Sequence, residues 1–183
     1  MDSRLPIIGI IGSGSKPYSG LSGPLGIWIA QNGYHLVNGG GSGVMTTAAK
    51  AFTEVSNRKG FTLGILPSND FCDNSNKRLN FSPSTGYPNP YIEIPIKTHL
   101  PLSGASGLEI ASRNHIVVLT ADVLIALPGS EGTRSEIQLA LEYNKPLIIL
   151  NIKGCWNEFK SSSAKLVQTT QEAIEELKKV FQS

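Results

Sequence analysis

The chain has 183 residues, a formal net charge of +2, 40% hydrophobic and 16% charged residues, and 19 glycines with 11 prolines. That length is enough for one well-buried core, the low charged fraction excludes disorder driven by charge, and the mild net charge is not the clustered Lys/Arg footprint of a nucleic-acid binder. Cys72 and Cys155 form no disulfide framework, and no apolar run nears the ~18 residues that span a bilayer, so a cytoplasmic protein with no nucleic acid and no membrane among its partners is expected.

Residues 6–12 (PIIGIIG) form a short apolar run ending in glycine, as in a strand buried on both faces of a parallel sheet. It is not read as a signal peptide, because glycines interrupt it and no small-residue cleavage site follows a basic region. A helix is predicted over about 22–32, with Ser22 as N-cap, Pro24 in the first turn and Gly33 as the stop. Residues 35–38 read as the second strand, and about 44–55 as a helix with Val44, Ala48, Ala51, Phe52 and Val55 at helical spacing. Residues 61–66 make a third strand, closed by Pro67. Residues 68–91 are rich in Asn, Ser and Pro without periodicity, which predicts a long variable loop inserted in the domain. A short strand is expected within 91–97, then a nearly all-apolar helix over 108–120 suited to a core or a subunit contact. A strand at 123–127, a helix at 134–144, a strand at 146–151 and an amphipathic helix over about 164–181 complete the chain.

Strands alternating with helices predict an α/β class fold, a three-layer Rossmann-like doubly wound parallel sheet in a single domain over 1–183. Right-handed crossovers place all strand carboxyl ends on one edge, and a ligand binds there, where the strand order reverses. In the common order 3-2-1-4-5 that switch lies between the first strand and 123–127. Three glycine-rich loops converge on it: Gly12-Ser13-Gly14-Ser15, the 39–43 loop with Gly40, Gly41, Ser42 and Gly43, and Pro128-Gly129-Ser130-Glu131-Gly132-Thr133. Glycine lets backbone amides approach a ligand, and a glycine-rich turn entering a helix N-terminus is an anion site, most often for phosphate. One such loop is equally well a tight turn shaped by sheet-to-helix geometry; two meeting at a switch point favour phosphate.

Standard nucleotide motifs are absent. The first loop runs into Lys16-Pro17, and no acid closes the second strand, where Asn38 and Gly39 stand, so no NAD is expected. Neither a Gly-Lys-Ser/Thr P-loop nor a GxSxG elbow occurs, and pyridoxal phosphate (PLP) is not expected. His35, His99 and His115 lack metal-ligand spacing, so no metal site is expected, and the two cysteines read as packing residues. Thr133 with Glu136 three residues on fits a capping box. Arg113, on an otherwise apolar helix, needs a carboxylate or phosphate partner if buried. Glu136 and a phosphorylated ligand are both candidates, and the two readings of Glu136 are compatible.

The string SRNHIVVLTADVLIALPGSEGTRSEIQLALEYNKPLIIL, with GIIGSGS and NGGGSGVM, resembles the SLOG superfamily, which includes the lonely-guy phosphoribohydrolases often labelled lysine-decarboxylase-like. The superfamily signature PGGxGTxxE stands here as PGSEGTRSE. Within it the sequence is most similar to the molybdenum cofactor carrier proteins, which share an Arg-Asn pair ahead of the signature, as at Arg113-Asn114, and an NPY…IPI segment, as at Asn89-Pro90-Tyr91 and Ile94-Pro95-Ile96. The resemblance covers nearly the whole chain and is weakest over about 70–87. It implies a Rossmann-like sheet, a homodimer or homotetramer, and a pocket for a phosphorylated heterocycle, with molybdoenzymes as donors or acceptors. In the carriers the ligand is the molybdenum cofactor (molybdopterin), a pterin with a terminal phosphate and dithiolene-bound molybdenum. The resemblance implies a binding protein in which the three loops, Arg113, Asn114 and Glu136 hold that cofactor. The alternative is a lonely-guy-like nucleoside 5′-monophosphate phosphoribohydrolase. There Arg113 would hold the phosphate or ribose, and Glu136 would orient water or stabilise an oxocarbenium-like transition state. Two positions depart from the hydrolases: Ser130 replaces the second signature glycine, and Asn114 stands where a Lys follows the Arg. A third reading is an interaction module with a vestigial pocket.

Overall fold

In the strand β1 (Ile7–Ile11), Ile8, Ile10 and Ile11 are all buried, because a central parallel strand is covered on both faces. The structure, a computed structural model, describes residues 4–182. The chain continues through α1 (Ser19–Gln31), β2 (His35–Asn38), α2 (Val44–Thr53), β3 (Thr62–Leu66), α3 (Ser75–Leu79) and β4 (Ile94–Lys97). Then follow α4 (Asn114–Thr120), β5 (Val123–Ala126), α5 (Glu131–Glu142), β6 (Leu147–Leu150), β7 (Lys165–Val167) and α6 (Thr170–Gln182). Every neighbouring pair is parallel, in the order β4-β3-β2-β1-β5-β6-β7. This is the Rossmann-like α/β arrangement expected. The order reverses between β1 and β5, where Ile8 pairs with Val123 and Ile11 with Ala126. The switch point is therefore where the sequence placed it.

Side-chain alternation divides the core into two layers. Val123 and Ile125 of β5 pack with Leu25 and Ile29 of α1, Ala48 and Phe52 of α2, and Leu177 of α6. Leu124 and Ala126 point the other way, to Val117 and Val118 of α4 and Ile137 and Ala140 of α5. Gly26 sets the approach of α1 to α2, since a Cβ there would overlap the Ala48 carbonyl oxygen. No helix among the described residues is long and apolar enough to cross a membrane.

Four elements differ from their expectations. The first helix starts at Ser19, after Tyr18 in a left-handed conformation (φ 41°). Ser22 is therefore inside it, buried, with its hydroxyl donating to the carbonyls of Pro17 (2.7 Å) and Tyr18 (3.2 Å) in place of capping. The 108–120 helix is confined to Asn114–Thr120, because Arg113 N donates to Leu102 O and Ser112 N to Glu109 O, closing turns ahead of it. Leu108 and Ile110 are exposed in those turns. The fifth helix begins at Glu131, so Thr133 lies within its first turn and the Thr133–Glu136 capping box does not form; extended Ser130 takes the N-cap position without a side-chain bond. Finally, 164–181 divides into β7 and α6. Thr169 Oγ1 accepts from Glu172 N (3.1 Å) and Glu172 Oε2 from Gln168 N (2.8 Å), a capping pattern that starts the helix later. The 68–91 segment is mostly irregular but holds α3, whose N-cap Asn74 accepts from Lys77 N at 3.0 Å.

Candidate functional site

The three glycine loops meet at the carboxyl ends of β1, β2 and β5. Ser13 N donates to Pro128 O at 3.2 Å, Val44 N to Ser13 O at 2.9 Å, and Ser42 Oγ to Gly14 O at 2.5 Å. Gly43 has φ 65°, and a Cβ on it would overlap the Ser13 carbonyl oxygen, so only glycine lets the second loop lie on the first.

These loops border a cleft of about 300 Å³. Of the expected residues, Gly12, Gly14, Arg113, Asn114, Ser130, Glu131, Gly132, Thr133 and Glu136 line it. Ser13, Ser15, Gly40, Gly41, Ser42, Gly43, Pro128 and Gly129 do not, and several of them tie the loops together. Ser13 Oγ accepts from Lys16 N (2.9 Å), Gly40 N donates to Asn38 Oδ1 (2.8 Å), and Gly40 O accepts from Asn89 N (2.7 Å). Sequence reasoning missed Ile10, Ile11, Gly39, Met45, Tyr87, Ser103, Gly104 and Ala105 on the wall. Gly104, at φ 60°, was the available signal for the 103–105 turn, as a glycine between the predicted 91–97 strand and 108–120 helix; Tyr87 offered none, since tertiary folding alone brings it here.

Two features give the cleft its electrostatics. The first is the start of α5, where Arg134 N donates to Ser130 O at 3.0 Å but the amides of Glu131, Gly132 and Thr133 have no acceptor among the described residues. Three open donors sit at the positive end of a twelve-residue helix. The Glu131 carboxylate is paired with Arg134, which also holds Glu158 at 2.7 Å, so its charge is partly neutralised.

The second is Arg113, only 5% exposed at the head of α4. Its guanidinium lies on bare Gly39, where a Cβ would overlap it. Nη1 reaches Glu136 Oε1 at 3.5 Å, and Nε is buried with no partner. Burial pushes the Glu136 carboxyl up to about 7, with Arg113 offsetting only part of that penalty. Near neutrality Glu136 is thus partly protonated, and the guanidinium lacks a full countercharge. Asn114 Nδ2 donates to Ser135 Oγ at 3.1 Å while its Oδ1 is also buried and unpartnered. A buried cation short of countercharge, beside three open amides, suits an anion. Among the described residues no group of three or more His, Cys, Asp and Glu is placed to hold a metal ion.

Comparison with known proteins places this chain in a family. The molybdenum cofactor binding protein of the phototrophic bacterium Rippkaea orientalis superposes with a TM-score of 0.75 at 29% identity, over 98% of this chain and 99% of that one. The molybdenum cofactor carrier protein of Chlamydomonas reinhardtii superposes with a TM-score of 0.72 at 26% identity, over 98% and 100%. An uncharacterized protein of Archaeoglobus fulgidus is 32% identical over 146 residues, 78% of each chain. A sequence model of the SLOG cluster4 family matches residues 5–179, and the chain belongs to that family.

Proposed function

We propose that this protein binds molybdenum cofactor and carries it in the switch-point cleft. The phosphate of the cofactor would sit at the amides of Glu131, Gly132 and Thr133 beside Arg113. The observation that carries this reading is the meeting, in one cleft, of three open helix-start amides and a buried guanidinium with an unpartnered Nε. The similarity to a cofactor-binding protein and a cofactor carrier supports it. Gly12 and Gly14 present backbone without side chains to the ligand. The cofactor brings its own dithiolene for the molybdenum, so the protein's part is to bind, shield and release. Exposed Leu108, Ile110, Leu119 and Tyr143 support a homodimer or homotetramer, which sedimentation of the wild type against Leu119→Glu tests; an unchanged mass in both would remove that support. Molybdoenzymes are the donors and acceptors this reading requires.

The test is purification from a host that makes the cofactor, followed by oxidation and fluorimetry of the released pterin. The expected result is close to one pterin per chain, and several-fold less in Arg113→Gln. A wild-type protein that carries no pterin and takes none up from a molybdoenzyme would overturn the proposal. Release of free adenine from AMP, abolished in Glu136→Ala, would instead assign the phosphoribohydrolase reading.

A further inference from the structure

Tyr87 is the one aromatic residue that lines the cleft among the described residues, and it comes from the 68–91 segment that the proposed function leaves unused. Its position is built. Asn89, only 6% exposed, donates from N to Gly40 O (2.7 Å) and from Nδ2 to Gly41 O (2.8 Å), fastening the segment to the second glycine loop. Tyr87 N donates to Ser84 O at 3.1 Å, closing the turn behind it. Gly41 completes the placement: a Cβ there would stand 3.0 Å from Tyr87 Cε1 and 2.9 Å from Met45 Cε, so the phenol ring and the thioether meet over bare backbone. The Tyr87 hydroxyl has no hydrogen bond among the described residues, so the ring is placed by this packing. The cleft therefore has an aromatic and thioether wall from Tyr87 and Met45, and a charged and amide wall from Arg113 and the start of α5.

We propose that Tyr87 determines which phosphorylated compounds the cleft accepts, by packing against the flat ring system of the ligand while the anionic end lies at the start of α5. The inference rests on the reading that the cleft takes a phosphorylated ligand, and adds that the ligand must carry a conjugated ring. Aromatic side chains favour such rings through offset or edge contacts, whereas a phosphate without a ring gains nothing from the phenol. The role of the 68–91 segment is then to deliver this ring to a cleft whose other parts come from the sheet edge.

Calorimetric titration of the full chain tests it, with a monophosphorylated pterin, glycerol 3-phosphate and inorganic phosphate as probes. Stacking contributions seen on alanine substitution predict that Tyr87→Ala weakens pterin phosphate about tenfold or more. Tyr87→Phe should stay within about twofold, and glycerol 3-phosphate and phosphate should bind all variants alike. Tyr87→Leu keeps an apolar contact with Met45 and removes the π face, so it serves if the alanine variant unfolds; its loss should also be confined to the pterin. Equal losses for all probes, or no loss for the pterin, would overturn the specificity role. A wild type that binds none of the three would overturn the phosphate reading of the cleft itself, and this inference with it.

Discussion

Arg113 Nη1 stands 3.5 Å from Glu136 Oε1 in a pair almost closed to solvent, longer than the 2.7–2.9 Å of a charge-assisted hydrogen bond. The pair is held together loosely, and burial dominates the carboxyl group, which lies at about 7 against its ordinary 4.5. The folded state therefore holds that proton more tightly than the unfolded chain does. Below about pH 4.5 both states are protonated and the group imposes no penalty. As pH rises from there, the unfolded chain ionises first, and this site lowers stability progressively until the folded group has also ionised, above about 7. Urea unfolding of the wild type should thus show a loss on the order of 2–3 kcal/mol between pH 5 and 8 that Glu136→Gln lacks. Parallel pH profiles for the two proteins would remove the carboxyl group as the cause.

Gly43→Ala should separate the first two loops. The position has φ 65° and ψ −125°, and a Cβ would overlap the Ser13 carbonyl oxygen, which is backbone and has no rotamer to yield. The expected cost is about 2 kcal/mol or more from backbone strain and displacement together. Ser13 O also accepts from Val44 N at 2.9 Å, so the start of α2 should loosen as well. Faster hydrogen exchange at Val44 checks this, and an unchanged unfolding midpoint would contradict it.

Asn89 is the fastening of the 68–91 segment, and its two ends differ in function. Nδ2 donates to Gly41 O at 2.8 Å and Oδ1 accepts from Tyr91 N at 3.1 Å. Asn89→Asp keeps the acceptor and sets a carboxylate against a carbonyl, so it should destabilise by about 1–3 kcal/mol. It should also speed proteolysis within 68–91 more than elsewhere. Cleavage rates unchanged in that segment would show that other contacts hold it.

The fold was legible because its central strands alternate nothing: Ile8-Gly9-Ile10-Ile11 and Val123-Leu124-Ile125-Ala126 are apolar throughout, and only a sheet covered on both sides asks for that. The meeting of glycine loops followed from topology, and Arg113 stood out as a charge in an apolar context. What was not legible depends on partners distant in the chain. Thr133 and Glu136 have capping-box spacing, yet Gly132 packs against Gly104, where a Cβ would stand 2.9 Å from its Cα, and α5 begins two residues before Thr133. Leu108 and Ile110 look like helix core and are exposed, since they lie in turns that bonds from Leu102 to Ala111 and Arg113 close ahead of the helix. Lys165–Val167 is a three-residue edge strand and leaves too short a pattern to separate from the helix beyond it.

Substituting Arg113 alone and together with Glu136 separates the fold's need for the guanidinium from the ligand's. Replacing one partner of a buried ion pair leaves the other uncompensated, but Glu136 escapes that penalty by taking up a proton. The cost of Arg113→Gln should therefore be small near pH 5 and should grow toward pH 8, adding to the loss seen with the wild type, because here nothing remains to offset the ionised carboxylate. Combining it with Glu136→Gln removes both charges and should return most of the stability at pH 8. Inorganic phosphate should behave differently. At a hundredfold excess over its dissociation constant it should stabilise the wild type by about 2.7 kcal/mol. The double variant, though folded, should lose most of that protection, because it keeps the open amides of Glu131, Gly132 and Thr133 but not the guanidinium beside them. Phosphate protection that survives in the double variant would assign the anion to the helix start alone and leave Arg113 a structural residue.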